Sequence, residues 1–168
     1  MQTAACFTYG SLMWPDIMAR VCGREVPALQ RTKAWLYGHV RHPVMGQDYP
    51  GLVPQSGAPA LQGVLYWGLT PQELQRLDDF EGQEYERVSV MVVLQEPSDA
   101  SATAPTCVPA LTPGAFTSAE PQQAWVYRYR SEFAHRLGPG DWSEQAFEER
   151  GKARFCARYV GFAQTPAP

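Results

Sequence analysis

The chain has 168 residues, a formal charge of −3 at pH 7, 45% hydrophobic residues and 12% aromatic ones. One domain of this length buries roughly 68–70% of its unfolded surface, so a single hydrophobic core is expected across 1–168. With no basic excess to neutralise phosphates and no apolar stretch of bilayer-spanning length, neither nucleic acid nor membrane is expected as a partner.

The first element is a short β-prone run from Ala5 to Tyr9, ended by Gly10-Ser11. Pro15 to Cys22 then predicts a helix: Pro suits the first turn, Ile17, Met18, Val21 and Cys22 form one apolar stripe, and Gly23 supplies the stop. Lys33 to His42 alternates with period two, placing Lys33, Trp35, Tyr37 and His39 on one face, which predicts one strand. Tyr49 to Pro54 is too proline-rich for a central strand and reads as an edge or a loop. Ala60 to Leu69 is short and almost wholly apolar, as a strand covered on both faces would be. Thr70-Pro71-Gln72-Glu73 combines an N-cap, a proline at the first helical position and the Glu of a capping box. A helix therefore starts there, and Gly82 closes it.

Tyr85 to Leu94 returns to strand, with Arg87 and Ser89 alternating against Val88 and Val90. From Glu96 to Gln122 prolines recur among Ala, Ser and Thr, a composition that buries little and predicts a long surface loop or disordered insert. Trp125 to Arg130 is the partner strand, its aromatic residues Trp125, Tyr127 and Tyr129 on one face. Asp141-Trp142-Ser143-Glu144 reads as the capping box of a last helix, whose stripe is Phe147, Gly151, Phe155, Tyr159 and Phe162. Several strands broken by about three helices predict a mixed α/β (α+β) domain with a bent or closed sheet. The aromatic strand faces would line the interior or mouth of such a barrel.

Two segments could carry chemistry. A strand ending in Gly10-Ser11 and turning into a helix leaves backbone N–H groups free for a carboxylate or phosphate, although the glycine also suits an ordinary turn. Asp78, Asp79 and Glu81 crowd the C-terminal turn of a helix, where the helix dipole and like charges push a carboxyl pKa upward. The alternative there is a solvated acidic end paired with Arg76 or Arg87. His39 and His42 point to opposite faces of a strand, a poor metal pair, and His135 stands alone. Ser11 has no evident base, no GK[ST] follows the glycine to make a P-loop, and Cys22 belongs to an apolar stripe. Cys6, Cys22, Cys107 and Cys156 lack CxxC spacing, and the opening residues lack a signal-peptide layout, so a reduced, cytoplasmic protein is expected.

Four motifs in order resemble the gamma-glutamylcyclotransferase-like family, most of all the branch that includes the plant avirulence-induced-gene-like proteins. They are Tyr9-Gly10-Ser11-Leu12, the segment Tyr49 to Pro54, the segment Gly63 to Leu69, and Leu77 to Arg87 with its Glu81-Gly82 and Tyr85. The resemblance runs from the first strand through Leu94, and less specifically from Trp125 to Phe162. It implies a small mixed β-barrel flanked by helices. It implies Glu81 as the catalytic acid/base, and backbone N–H groups of Tyr9, Gly10, Ser11 and Leu12 as binders of a substrate α-carboxylate. Tyr85 would close the pocket.

The implied substrate is a small γ-glutamyl compound whose α-amine attacks its own γ-carbonyl, giving 5-oxoproline and a released amine or amino acid. No metal or cofactor is required for that cyclisation. The insert at 96–122 is unusual for the family, and the motifs leave the leaving group and the oligomeric state open. Two other readings stand beside it: a non-catalytic module that binds a small carboxylate, and an amide hydrolase in which Glu81 activates water.

Overall fold

The computed structural model describes residues 3–94 and 120–158. Seven strands run as β1 (Ala4–Thr8), β2 (Gln30–Leu36), β3 (His39–Pro43), β4 (Pro50–Pro54), β5 (Leu61–Leu69), β6 (Tyr85–Val93) and β7 (Gln122–Tyr129). The helices are α1 (Pro15–Cys22), α2 (Pro71–Glu81), α3 (Glu144–Ala146) and α4 (Lys152–Arg158). A π-helical turn at Phe147–Gly151 joins the last two. The architecture is mixed α/β. Five strands close into a barrel in the order β1-β5-β2-β6-β7, and β3 and β4 form a separate two-stranded sheet. Closure comes from a parallel pairing of β1 with β7 at Cys6 and Trp125.

The helix over Pro71–Glu81 forms as its sequence predicts. Thr70 accepts from the Glu73 backbone N–H, and the Glu73 side chain reaches back to the Thr70 N–H at 2.7 Å. α1 also matches its predicted bounds, ending where Gly23 adopts a left-handed conformation at φ 72°. The strand predicted over Lys33 to His42 is two strands instead. Gly38 turns the chain at φ 69°, so β2 joins the barrel between β5 and β6 while β3 leaves to pair with β4. Tyr49 to Pro54 supplies β4, whose prolines are tolerated because this sheet has only two strands and hence only edges. The capping box expected at Asp141 is not made. Ser143 caps α3 through the Ala146 N–H, and Asp141 is drawn to Arg41. Gln122, placed by sequence in the insert, already belongs to β7. Residues 96–119 of that insert lie outside the described residues, as do Tyr159 and Phe162.

Alternate residues of each barrel strand fall into two hydrophobic clusters, as a pleated strand requires. Phe7, Ala34, Leu36, Leu65, Val92, Ala124 and Val126 pack inside the barrel. Cys6, Tyr66, Tyr127 and Tyr129 face outward and pack with Ile17, Met18, Leu77, Phe147 and Phe155 of the helices. Tyr127 and Tyr129 of β7 therefore lie under the helical layer and not in the barrel interior, which is filled largely by aliphatic side chains. Among the described residues no helix is long and apolar enough to cross a membrane.

Candidate functional site

The two clusters meet at the end of β1, and there the chain leaves a small pocket. Its walls are Phe7 to Leu12 from β1 and the following turn, Tyr49 and Pro50 at the start of β4, Glu81 at the end of α2, and Tyr85 and Tyr127. Every site residue that the resemblance implies, Tyr9, Gly10, Ser11, Leu12, Glu81 and Tyr85, lines this one pocket, while Asp78 and Asp79 do not.

The turn at Gly10 is built differently from the expected strand-to-helix junction. A single 3-10 turn, Ser11–Met13, precedes α1, with Met13 N–H donating to Gly10 O at 2.9 Å. The first N–H groups of such a turn have no partner inside it, so the free donors belong to the 3-10 turn and not to α1. Gly10 is held to glycine by proximity: a Cβ there would stand 2.8 Å from Pro50 Cδ and Cγ. Tyr9 is fixed at both ends. Its hydroxyl donates to Tyr127 O at 2.6 Å. Its carbonyl accepts from Arg41 Nη1 at 2.7 Å. The Tyr9 ring thus forms wall, while its hydroxyl is committed to the protein.

Glu81 comes from the last turn of α2, and Gly82 follows with φ 69°. The residue as a whole is half-buried, but its carboxyl is the desolvated part, and burial raises that pKa from the ordinary 4.5 to about 8. The direction matches the sequence expectation; the cause is desolvation, not the neighbouring acids. Asp79 is exposed and accepts from Gln75. Asp78 turns away to accept from the Tyr127 hydroxyl at 2.7 Å and to pair with Arg87 at 3.4 Å. Arg76 instead donates to the Cys22 carbonyl at 2.5 Å. Tyr85, buried against Tyr129 with ring centroids 5.1 Å apart, donates its hydroxyl to Pro50 O at 2.7 Å and so ties β6 to the β4 rim.

Residues that sequence reasoning left without a role are Phe7, Thr8, Tyr49, Pro50, Tyr127 and Arg41. The signal for Arg41 was its place as the single arginine or lysine of β3. It is only 6% exposed, and Asp141 grips it at 2.8 and 3.0 Å, Glu144 at 3.2 Å. Its guanidinium lies 5.2 Å from the Trp142 ring centroid. The histidines serve locally, His39 beside Tyr37 O and His42 beside Gly140 O. Among the described residues no group of three His, Cys, Asp or Glu is placed to hold a metal ion.

Residues 6–144 match the family described as gamma-glutamyl cyclotransferase, AIG2-like. A relative named AIG2-like protein D, from Arabidopsis thaliana, is 38% identical over 93 residues, which are 55% of this chain and 59% of that protein. The matched stretch thus spans less than two thirds of that relative. A solution structure of another Arabidopsis thaliana protein superposes with a TM-score of 0.59 at 25% identity, covering 99% of this chain and 97% of its own. A structure named gamma-glutamyl cyclotransferase shares the fold at a TM-score of 0.54 and 16% identity, covering 90% and 99% of the two chains.

Proposed function

Since the chain belongs to the gamma-glutamyl cyclotransferase, AIG2-like family, we propose that it cyclises a small γ-glutamyl compound to 5-oxoproline. The observation that carries this reading is a desolvated carboxyl, Glu81, in the same pocket as the free-donor turn at Gly10, Ser11 and Leu12. The turn holds the substrate α-carboxylate through backbone N–H groups, and the α-amine is thereby directed towards Glu81. Closing the five-membered lactam needs no protein nucleophile, because amine and γ-carbonyl held in contact reach effective molarities of roughly 10⁵–10⁸ M.

What the reaction needs is a proton carrier. With its pKa near 8, Glu81 is mostly protonated at neutral pH in the empty pocket. An α-ammonium seated beside it favours the carboxylate, so binding itself prepares the base. Glu81 then accepts one ammonium proton, the amine attacks the γ-carbon, and Glu81 returns that proton to the departing nitrogen as its bond to the γ-carbon breaks; the second proton shed by the ring nitrogen passes back to Glu81 and restores its protonated resting form. Tyr85, anchored to Pro50 O, closes the wall around the reacting centre.

The test is a mass-spectrometric screen for 5-oxoproline after incubation with pooled γ-glutamyl dipeptides and γ-glutamylamines. Wild type should release 5-oxoproline and thereby reveal the leaving group. Glu81→Gln should lose activity by about 10²–10⁴-fold with its far-UV spectrum unchanged. Free glutamate in place of 5-oxoproline would point to hydrolysis, and a folded protein silent across the pool to a carboxylate-binding module. In wild type kcat/KM should fall as pH drops below about 8, because the base form of Glu81 is then lost.

A further inference from the structure

The buried guanidinium of Arg41 is satisfied in an uneven way. Its two carboxylate partners lie at the surface, Asp141 with 62% and Glu144 with 52% of the side chain exposed. Burying a cation costs several kcal/mol that such an ion pair does not need, since it forms as well in solvent. What does need the buried position is the remaining bond, from Nη1 to the Tyr9 carbonyl at 2.7 Å. Tyr9 O is the acceptor of the peptide whose N–H belongs to Gly10. In a planar trans peptide the carbonyl and the following N–H point in opposite directions. A donor holding Tyr9 O on one side therefore turns the Gly10 N–H to the other, away from Arg41, which is not part of the pocket wall. A charged donor also polarises that peptide and strengthens its N–H as a donor in turn. Asp141 and Glu144 balance the guanidinium charge, so Arg41 acts through this bond and not through a long-range field.

We propose that Arg41 is a positioning residue for the anion-binding turn: through the Tyr9–Gly10 peptide it aims and strengthens the Gly10 N–H for the substrate α-carboxylate, without touching substrate. The identity of the ligand rests on the cyclotransferase reading; the orientation of the peptide does not.

The experiment uses the full chain labelled with ¹⁵N, the variants Arg41→Met and Arg41→Lys, and 5-oxoproline as the probe carboxylate. Removing Arg41 with Met shifts the Gly10 amide resonance in the free protein, weakens 5-oxoproline binding about tenfold and raises KM by a similar factor, with kcat changed about twofold at most. Lysine, which keeps one charged donor, recovers part of the loss. A folded Arg41→Met protein with an unmoved Gly10 amide and wild-type binding overturns the proposal, as does a fall in kcat with KM unchanged. Should that variant fail to fold, the surface pair Asp141→Asn with Glu144→Gln releases the guanidinium from outside. It shifts the Gly10 amide by a smaller amount, and no shift overturns the proposal. A wild-type protein that neither binds nor releases 5-oxoproline removes the cyclotransferase reading alone, because the Gly10 amide still reports whether Arg41 sets that peptide.

Discussion

At Glu81, a side chain suited to proton transfer weakens the fold that holds it. Its carboxyl ionises near the ordinary 4.5 in the unfolded chain and near 8 in the native pocket, so between those values the native state binds the extra proton. The stability this lends is complete below about 4.5 and is lost as pH rises through about 8. A glutamine, nearly isosteric and never charged, escapes the loss. Glu81→Gln should therefore gain on wild type progressively from pH 5 to pH 8, by on the order of a few kcal/mol at the upper end. Urea unfolding of both proteins across that range checks it, and parallel curves would mean that the carboxyl is well solvated. This readout is independent of any substrate.

The elements divide by how local their causes are. α2 could be read from the sequence because its cap, its first-turn proline and its stop lie within thirteen residues of one another and answer to one another. Glu73 adds a function no local pattern announces. Burial works to raise its pKa, but the Thr70 donors and the Arg24 guanidinium outweigh that and hold it lowered. Arg24, just beyond α1, also donates to Gly68 O at 2.8 Å, so one carboxylate ties the end of α1 to the start of α2. Thr70→Ala should cost about 1 kcal/mol as a lost cap. Glu73→Gln should cost more, about 2–3 kcal/mol, because it also leaves a largely buried Arg24 without its counter-charge. Urea midpoints at pH 7 measure both, and equal losses would mean that the Arg24 bond contributes nothing. By contrast, the break between β2 and β3 was hidden because the alternation continues unbroken through Gly38, and only the third dimension sends the two halves to different sheets. Asp141 misled for a similar reason: its spacing to Glu144 fits a cap, while the partner that claims it lies a hundred residues earlier at Arg41. The pocket residues could be found where they formed a contiguous motif, as at Tyr9 to Leu12. They were missed where a wall is a single side chain on a distant strand, as with Tyr127.

Across the whole molecule the pocket draws its walls from strands that closure of the barrel brings together. Val92 pairs with Gln122, so these two strands already stand side by side where the described residues resume. Replacing residues 95–119 with a short Asn-Gly-containing linker should leave both the thermal transition and 5-oxoproline release within about twofold of wild type, since a hairpin of that kind joins adjacent antiparallel strands. Calorimetry and the oxoproline assay decide it, and loss of activity in a folded variant would give that segment a part in the site. The bond from the Tyr9 hydroxyl to Tyr127 O, by contrast, spans 118 residues of sequence. At typical synthesis speeds of 5–20 residues per second, the ribosome needs about 6–24 s to travel from one partner to the other. Throughout that interval the turn at Gly10 has already been made but has nothing to close against. The pocket wall is therefore incomplete on a nascent chain until β7 has emerged.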